Sequence, residues 1–502
     1  MRDGVAGDRE LQETLEKASP LNGGSGPAAE NTAHLPLVVP ASCLLKVDLI
    51  FERIAARLRR WCFGLFSVDA ILLRADGARR TPNAQGDLDY KSLPLDEEFA
   101  TWLEHQRFCG RQIILLPDVP PELCDLVAER LNLSPHLECT LPPPSSSAQL
   151  LALLREKFPE GFAYAGRSPA DLGIWTACEA AVFCRVPPRV VKILRDLEKP
   201  ILAEFSPLRT TPLTWTRMLR PHQWVKNLLL FAPALLGNVL SEPGVFLRCV
   251  IGFLLLGIVA SCTYLVNDVL DLDADRQHRS KATRPFAAGE IPVAFGFALP
   301  PLGIALGLLG ASCISKQFAA ALVGYTLLSL SYSFVLKRLA IVDALSIATL
   351  YVLRLVMGTV LASVPFSPWL LTFAMFFFFS LVLAKRQTEI QGALDGSCIA
   401  LRGRGYRTSD APLTLTFGVA SGTASMIILI IYLTQEVFGQ TLYLHPTSLW
   451  ALPVGLGVWL SHIWLFAHRG ELHDDPVHFA LRDPMSLALG LGVLAAFALA
   501  IL

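Results

Sequence analysis

A helical membrane bundle of about nine transmembrane helices, preceded by a soluble α/β domain, is the fold class the sequence predicts, on three observations. The 502 residues are 53% hydrophobic with a mean hydropathy of +0.47, well above a soluble average. The apolar residues are concentrated after about Pro221, in runs long enough to cross roughly 30 Å of hydrocarbon. Before that point, charged and apolar residues are mixed, and short apolar runs alternate with amphipathic ones, as in a doubly wound parallel sheet. Three segments follow: a tail over 1–34, a soluble domain over 35–205 and a membrane domain over 206–502.

The tail has several acids and Gly23, Gly24 and Gly26, with no basic region leading into an apolar core, so disorder is expected and a cleavable signal is not. The soluble domain opens with LPLVVPASCLLKVDLIFERI, whose pattern predicts a strand, a loop and a helix beginning near Asp48. RQIILLP, Arg111 to Pro117, predicts a second strand and Glu122 to Leu131 a helix. Leu150 to Phe158 predicts another helix, and GFAYAG, Gly161 to Gly166, a third strand.

In the membrane domain, RPHQWVKN, Arg220 to Asn227, places a Trp and bases where a segment would meet lipid head groups. Spans are expected at about 224–240, 245–266, 293–314, 317–336, 340–361, 367–384, 413–434, 447–467 and 485–502. Loops after even-numbered spans hold Arg276, Arg279, Lys281 and Arg284, then Lys337 and Arg338, then Lys385, Arg386, Arg402, Arg404 and Arg407, then Arg469 and Arg482. The opposite loops hold little beyond Lys316. The positive-inside rule therefore predicts a multi-pass inner-membrane protein with its amino-terminal domain cytoplasmic and its carboxyl terminus on the far side. Formal net charge is zero, so no overall field points to nucleic acid, and none is expected as a partner. The 11 cysteines form no C-x-x-C pair and read as small hydrophobes in a reduced compartment.

The densest chemistry is YLVNDVLDLDADRQHRSKATRPFAAG, Tyr264 to Gly289. If Asn267 to Asp275 is helical, Asp268, Asp271 and Asp275 share one face with Asn267 at its rim. Like charges so spaced repel, and a divalent cation removes the conflict. Oxygen ligands without Cys or His suit Mg²⁺, which commonly binds through one or two carboxylates and substrate phosphates. Arg276, Arg279, Lys281 and Arg284 follow at once, ready for phosphate oxygens. The alternative is a solvated loop whose acids and bases pair with each other.

Three features lie toward the same side. LAKRQTEI brings Lys385, Arg386 and Glu389 to the end of the sixth span, where they either bind substrate or anchor the helix. Arg354 lies inside the fifth span, costly without a partner or a wet cavity, and Asp343 precedes it by three turns, so that both can face one cavity. The last loop carries Asp474, Asp475, His478 and Asp483 without the spacing of a zinc site.

Two resemblances follow. The order of elements over 35–205, and YAGRSPADLGIW at Tyr164 to Trp175, resemble the haloacid dehalogenase-like phosphatases. That family's paired aspartates fall here on Val39 and Ala41, Arg167 replaces an acid of its last motif, and of that motif's acids only Asp171 remains. The hydroxyl expected after the second strand falls near Leu116 to Asp118, and the expected lysine has no clear counterpart near Gln149. The resemblance thus implies a domain without phosphatase chemistry, in a structural or docking role.

The membrane half, with Asn267-Asp268-x-x-Asp271-x-x-x-Asp275 and the stretch Arg284 to Gly289, resembles the UbiA superfamily of intramembrane prenyltransferases. That implies helices around a central cavity and a Mg²⁺-held diphosphate, with catalytic roles for Asp268, Asp271 and Asp275. Where other members carry a second acidic motif, this chain has Lys385, Arg386 and Glu389. With QWVKN (Lys226, Asn227) and LSYSFVLKR (Tyr332, Lys337), this is similar to the decaprenyl-phosphate phosphoribosyltransferase branch. The implied reaction moves phosphoribose from phosphoribosyl pyrophosphate (PRPP) to a polyprenyl phosphate, making a cell-envelope polysaccharide precursor. The implied partners are a lipid-linked substrate in the membrane and a soluble phosphorylated donor, with homo-oligomerisation left open. Lys226, Lys281 and Arg284 would clamp phosphates, with Lys385 and Arg386 near the acceptor. Alternatives are a prenyltransferase acting on an aromatic or other acceptor and, in another class, a cation-binding transporter using Asp343 and Arg354.

Overall fold

The computed structural model describes residues 34–65, 88–131, 146–186, 188–196, 199–206, 210–278, 281–395, 404–438, 443–472 and 479–501. The tail expected over 1–34 and the residues Arg279, Arg402, Asp474, Asp475 and His478 lie outside them, His34 apart. The chain divides into two compact units. One comprises the described residues of Met1–Ala56, Arg80–Trp215 and Asp275–Val293, the other those of Arg57–Arg79, Thr216–Ala274 and Ala294–Leu502.

The first unit is built on five parallel strands, β1 (Leu37–Pro40), β2 (Ile113–Leu116), β3 (Ala163–Gly166), β4 (Ala180–Cys184) and β5 (Ile201–Phe205), in the order β2-β1-β3-β4-β5. Side chains alternate between its faces. Val39, Leu115 and Val182 enter one core with helices α1 (Leu49–Leu65), α2 (Glu97–Phe108) and α3 (Pro121–Arg130). Val38, Ile114 and Phe183 enter another with α4 (Ser147–Lys157), α5 (Leu172–Ala177) and α6 (Pro188–Asp196). Cover on both faces is why the strands are continuous apolar runs rather than alternating ones. The same unit holds a buried ion pair, Arg276 with both oxygens of Glu52 at 2.6 and 3.1 Å.

The membrane unit is helical. After α7 (Pro212–Leu219), the span expected at 224–240 proves to be broken: a 3₁₀ stretch, Pro221–Phe231, and a short α8, Ala232–Leu236. Pro233 lacks the N–H a continuous helix would use, and Gly237 follows. The stretch is docked into the bundle, with Asn227 and Leu230 buried and the Trp224 indole donating to Ser261 Oγ at 2.9 Å.

The long helices are α9 (Pro243–Leu270), then a short α10 (Leu272–Arg276), α11 (Ala294–Ile314), α12 (Lys316–Phe334), α13 (Val342–Ala362), α14 (Pro368–Asp395), α15 (Ala411–Tyr432), α16 (Ala451–His468) and α17 (Pro484–Ile501). Among the described residues, six helices are long and apolar enough to cross a membrane, those of α9, α11, α13, α14, α15 and α16; the α17 region is a shorter apolar helix. Their bounds fall within a few residues of those expected, α14 excepted, which runs on to Asp395 past an expected end at 384.

Glycines set the closest approaches. Gly303 and Gly307 of α11 face Cys262 and Val259 of α9, leaving no room for a Cβ. At Gly358 of α13 a Cβ would overlap the backbone carbonyl of Leu230. Gly358→Ala should therefore destabilise the bundle by about 1–3 kcal/mol, read as earlier thermal unfolding in detergent. Unchanged unfolding would mean that the 3₁₀ stretch is not docked there.

Candidate active site

The last turn of α9 presents Asn267 and Asp268, and Asp271 caps it. The helix stops there, so Asp268, Asp271 and Asp275 do not lie on one unbroken helix as the spacing suggested; Asp275 follows on α10. Each described carboxylate has a base. Arg220 Nη2 lies 2.6 Å from both oxygens of buried Asp268. Arg220 has a left-handed backbone, φ 53, ahead of Pro221, a conformation non-glycine residues hold only where surroundings fix them. Lys337, buried, donates to Asp271 and, at 3.2 Å, to the side-chain Oδ1 of Asn267, whose Nδ2 donates to Asp271 at 3.0 Å. Burial pulls the Lys337 ammonium below its ordinary pKa, and Asp271 opposes that shift. Asp273 is held by Arg59 at 2.7 Å. Asp275 is bonded to Arg284 within the sheet-bearing unit, where Lys281 is exposed.

Among the described residues no three Asp, Glu, His or Cys come together as a ready metal cage. Repulsion within the acid cluster, which a divalent cation was expected to relieve, is relieved here by bases. The donor set still fits a hard cation: Asn267, Asp268 and Asp271 offer only oxygens on one stretch, the one or two carboxylates that Mg²⁺ takes beside substrate phosphates.

Beside Asn267 opens a cavity of about 280 Å³. Among the described residues six cations line it, Arg220, Lys226, Arg354, Lys385, Arg386 and Arg404, and no carboxylate does. Tyr264, Tyr325, Tyr332 and Tyr351 add rings and hydroxyls, and Leu350, Leu381 and Val382 an apolar wall. Two networks hold three of these cations, Arg386 and Arg404 in one and Arg354 in the other.

In the first, Asp343 is fully buried and accepts from Arg386 Nε at 2.8 Å, from Arg404 at 3.1 Å and from the Tyr406 hydroxyl at 2.6 Å. Arg386 also reaches Glu389 at 2.6 Å, and Arg404 reaches the Tyr332 hydroxyl at 2.8 Å. Ile341, β-branched yet at φ 68, is tied to this network because its N–H donates to Tyr406 Oη; such a backbone is uncommon without local support. In the second, Arg354 Nε donates to Asn227 Oδ1 at 3.0 Å, Nη1 to the Leu350 carbonyl at 2.6 Å and Nη2 to Tyr325 Oη at 3.1 Å. The expected sharing of one cavity by Asp343 and Arg354 is thus corrected: Arg354 lines it, while Asp343 is drawn away by Arg386 and Arg404.

Of the residues singled out in the sequence, Lys226, Asn267, Tyr332, Arg354, Lys385 and Arg386 line the cavity. Asn227, Lys337 and Glu389 hold residues that do or that border them. Arg220, Arg404, Tyr325 and Tyr351 were not singled out. Arg404 was counted only as a positive-inside residue, and nothing local distinguishes it; Arg220 stood in the RPHQWVKN segment as an interfacial base.

In the first unit a separate crevice of about 560 Å³ lies at the carboxyl ends of β1, β2 and β3, where open parallel sheets bind ligands. Val39 and Ala41 are fully buried in the core as plain hydrophobes and do not line the crevice. Asp118 is bonded to Ser42, and Asp171 accepts from the backbone N–H groups of Arg167 and Ser168 at 3.0 and 2.9 Å. Burial raises both carboxyl pKa values. The Arg167 guanidinium donates to the carbonyls of Ser42 and Leu45 at 2.9 and 3.0 Å, so it braces the β1 loop.

The sequence pattern of the UbiA prenyltransferase family matches residues 230–489. The chain belongs to that family and is a membrane transferase. It is 39% identical over 416 residues to the uncharacterized protein y4nM of Sinorhizobium fredii, covering 82% of this chain and 80% of that one. Similarity to the nodulation protein NoeC of Azorhizobium caulinodans is 30% over 288 residues, 56% of this chain and 91% of that one. To the decaprenyl-phosphate phosphoribosyltransferase of Mycobacterium tuberculosis it is 34% over 178 residues, 35% of this chain and 59% of that protein.

Proposed function

We propose that the chain moves phosphoribose from PRPP to a polyprenyl phosphate, releasing diphosphate, with Mg²⁺ as cofactor. The lining of the cavity carries this: among the described residues, six cations and no carboxylate. PRPP and a lipid phosphate together bring a diphosphate and two phosphates into one site, and charge-assisted bonds to those groups account for the cations. Arg220, Arg386 and Arg404 already have carboxylate partners, and an aromatic acceptor with a prenyl diphosphate would bring fewer anionic groups to this lining than PRPP with a lipid phosphate. Similarity to a decaprenyl-phosphate phosphoribosyltransferase supports the same donor class.

Asn267, Asp268, Asp271 and Asp275 would hold Mg²⁺, which supplies charge neutralisation for the departing diphosphate. Arg220 and Lys337, bonded to Asp268 and Asp271, are the bases that would meet phosphate oxygens were those carboxylates to hold a cation. Lys226, Lys281 and Arg284 clamp phosphates, and Lys385 meets the acceptor. One oxygen of the acceptor phosphate bonds to the anomeric carbon as that carbon's bond to diphosphate breaks. The acceptor is already ionised, so no strong base is needed. Asp343 and Arg354 sit in separate networks, which disfavours a transport path built on that pair.

In this reading the active site faces the cytoplasm in the inner membrane. Residues 35–205 form a haloacid dehalogenase-like domain without phosphatase chemistry, which its parallel sheet and apolar Val39 and Ala41 support, and 206–502 form the transferase. The test supplies purified protein with radiolabelled PRPP and polyprenyl phosphate, and in parallel with a labelled prenyl diphosphate and aromatic acids. After thin-layer separation, label from PRPP should run with lipid. Prenyl label on the aromatic acid, with none from PRPP in lipid, would overturn the assignment.

A further inference from the structure

Resting on that reading, we infer that Arg354 and Asn227 form a phosphate-monoester subsite on the membrane-buried wall of the cavity, apart from the acid-bearing end of α9. Arg354 stands near the middle of α13 and is 3% exposed. The other buried arginines among the described residues of the membrane unit, Arg59 and Arg386, each hold a carboxylate, Asp273 and Asp343. Arg354 does not. Its partners are an amide oxygen, a backbone carbonyl and a phenol, with the rings of Tyr325 and Tyr351 at 5.0 and 5.4 Å. A guanidinium cannot shed its proton to escape burial, so the site carries a full positive charge among neutral groups.

Asn227 is the second observation. It is 1% exposed, and its Nδ2 has no hydrogen-bond partner among the described residues. The amide cannot flip to relieve this, because Oδ1 is fixed by Arg354 Nε and a flipped NH₂ would point at the guanidinium. A donor without an acceptor is therefore bonded to a cation without an anion. Of the five N–H bonds on a guanidinium, three are taken by Asn227, Leu350 and Tyr325, leaving one on each Nη. A tetrahedral anion entering from the cavity, which Arg354 lines, satisfies those N–H groups, and Asn227, which holds Arg354 from behind the lining, carries the neighbouring open donor.

With the diphosphate of PRPP assigned to Asn267, Asp268 and Asp271, two phosphate monoesters remain, the 5-phosphate of the donor and the head of the lipid acceptor. Both have the required chemistry. An apolar prenyl donor has nothing to place there, so the subsite also selects against it.

The decisive variant is Asn227→Asp. It is isosteric, it gives Arg354 a carboxylate and so preserves folding, and it turns the open donor into a charge that repels phosphate. One Michaelis constant, for PRPP or for polyprenyl phosphate, should rise roughly 10- to 150-fold, with the other within about twofold. Calorimetry with ribose 5-phosphate in EDTA separates the sources. If the donor's phosphate sits there, it binds wild type and not the variant, and the PRPP constant is the one that rises. If the lipid phosphate sits there, ribose 5-phosphate does not distinguish wild type from the variant, and the lipid constant rises. Both constants unchanged in folded, active variant would overturn the subsite. Should Asn227→Asp not fold, Arg354→Lys, which keeps the charge and loses the fork, replaces it with the same readings. Failure of the phosphoribosyl assignment has its own signature, no label transferred from PRPP by wild type. In that case binding of polyprenyl phosphate and of inorganic phosphate to wild type and variant decides the subsite alone: loss in the variant supports it, equal binding removes it.

Discussion

Asp271→Asn protein should accumulate and unfold like wild type while its transfer rate falls roughly 100- to 1,000-fold or more, as when a group that stabilises leaving-group charge is removed. The fold tolerates the change because Asp271 is 30% exposed and its Lys337 partner keeps the amide oxygen of Asn267. Lys337 thus keeps an acceptor, so the expected stability loss is at most about 1 kcal/mol. Asp268→Asn should behave differently. Asp268 is 5% exposed and holds Arg220, which stays charged, so that variant should lose about 3 kcal/mol of stability as well as activity. Adding Arg220→Gln removes the stranded charge and should recover much of the stability without recovering transfer. Thermal unfolding in detergent beside the labelled-donor assay separates the two effects. Full transfer by Asp271→Asn, or undiminished turnover in EDTA, would remove these carboxylates from the chemistry.

Helices and strands were legible where one periodicity dominates. The two-faced sheet announced itself in LVVP and IILL because both sides of each strand are covered, and the long helices because lipid admits only apolar runs of that length. β4 and β5 went unread although AAVFC is equally apolar, since it runs on from a helix without a turn signal. The first span is broken although its composition suits a membrane: Pro233 withholds an N–H within it and Gly237 follows. The acid cluster was visible as residue types, but its partners were not. Arg220 lies 48 residues before Asp268 and Lys337 lies 66 after Asp271, so only the packing of the bundle pairs them. Asp343 and Arg354 show the same limit. Helical spacing places them one above the other, and two distant arginines, Arg386 and Arg404, decide which one faces the cavity.

Lys385 and Arg386, adjacent in sequence and alike in charge, should separate cleanly on substitution. Arg386 is 1% exposed and bridges Asp343, which is fully buried, to Glu389. Arg386→Gln leaves Asp343 with Arg404 and Tyr406 alone, and breaking a buried pair from one side costs about 3–5 kcal/mol. Its unfolding temperature should drop, and Asp343→Asn in the same chain should restore part of it by removing the stranded charge. Lys385 lines the cavity and is half-buried. Lys385→Gln should leave unfolding nearly unchanged and raise the Michaelis constant for polyprenyl phosphate roughly 10- to 150-fold, the equivalent of about 1.5–3 kcal/mol for one charged hydrogen bond lost to a phosphate. Were both residues only cytoplasmic anchors, each variant would lower membrane insertion and neither would alter the constants of correctly inserted protein. The comparison that decides is the Michaelis constant for each substrate, normalised to folded protein, in the two single variants. A normal constant for Lys385→Gln would leave the acceptor phosphate without its proposed ligand, and normal unfolding of Arg386→Gln would show that the Asp343 network does not hold this wall of the site.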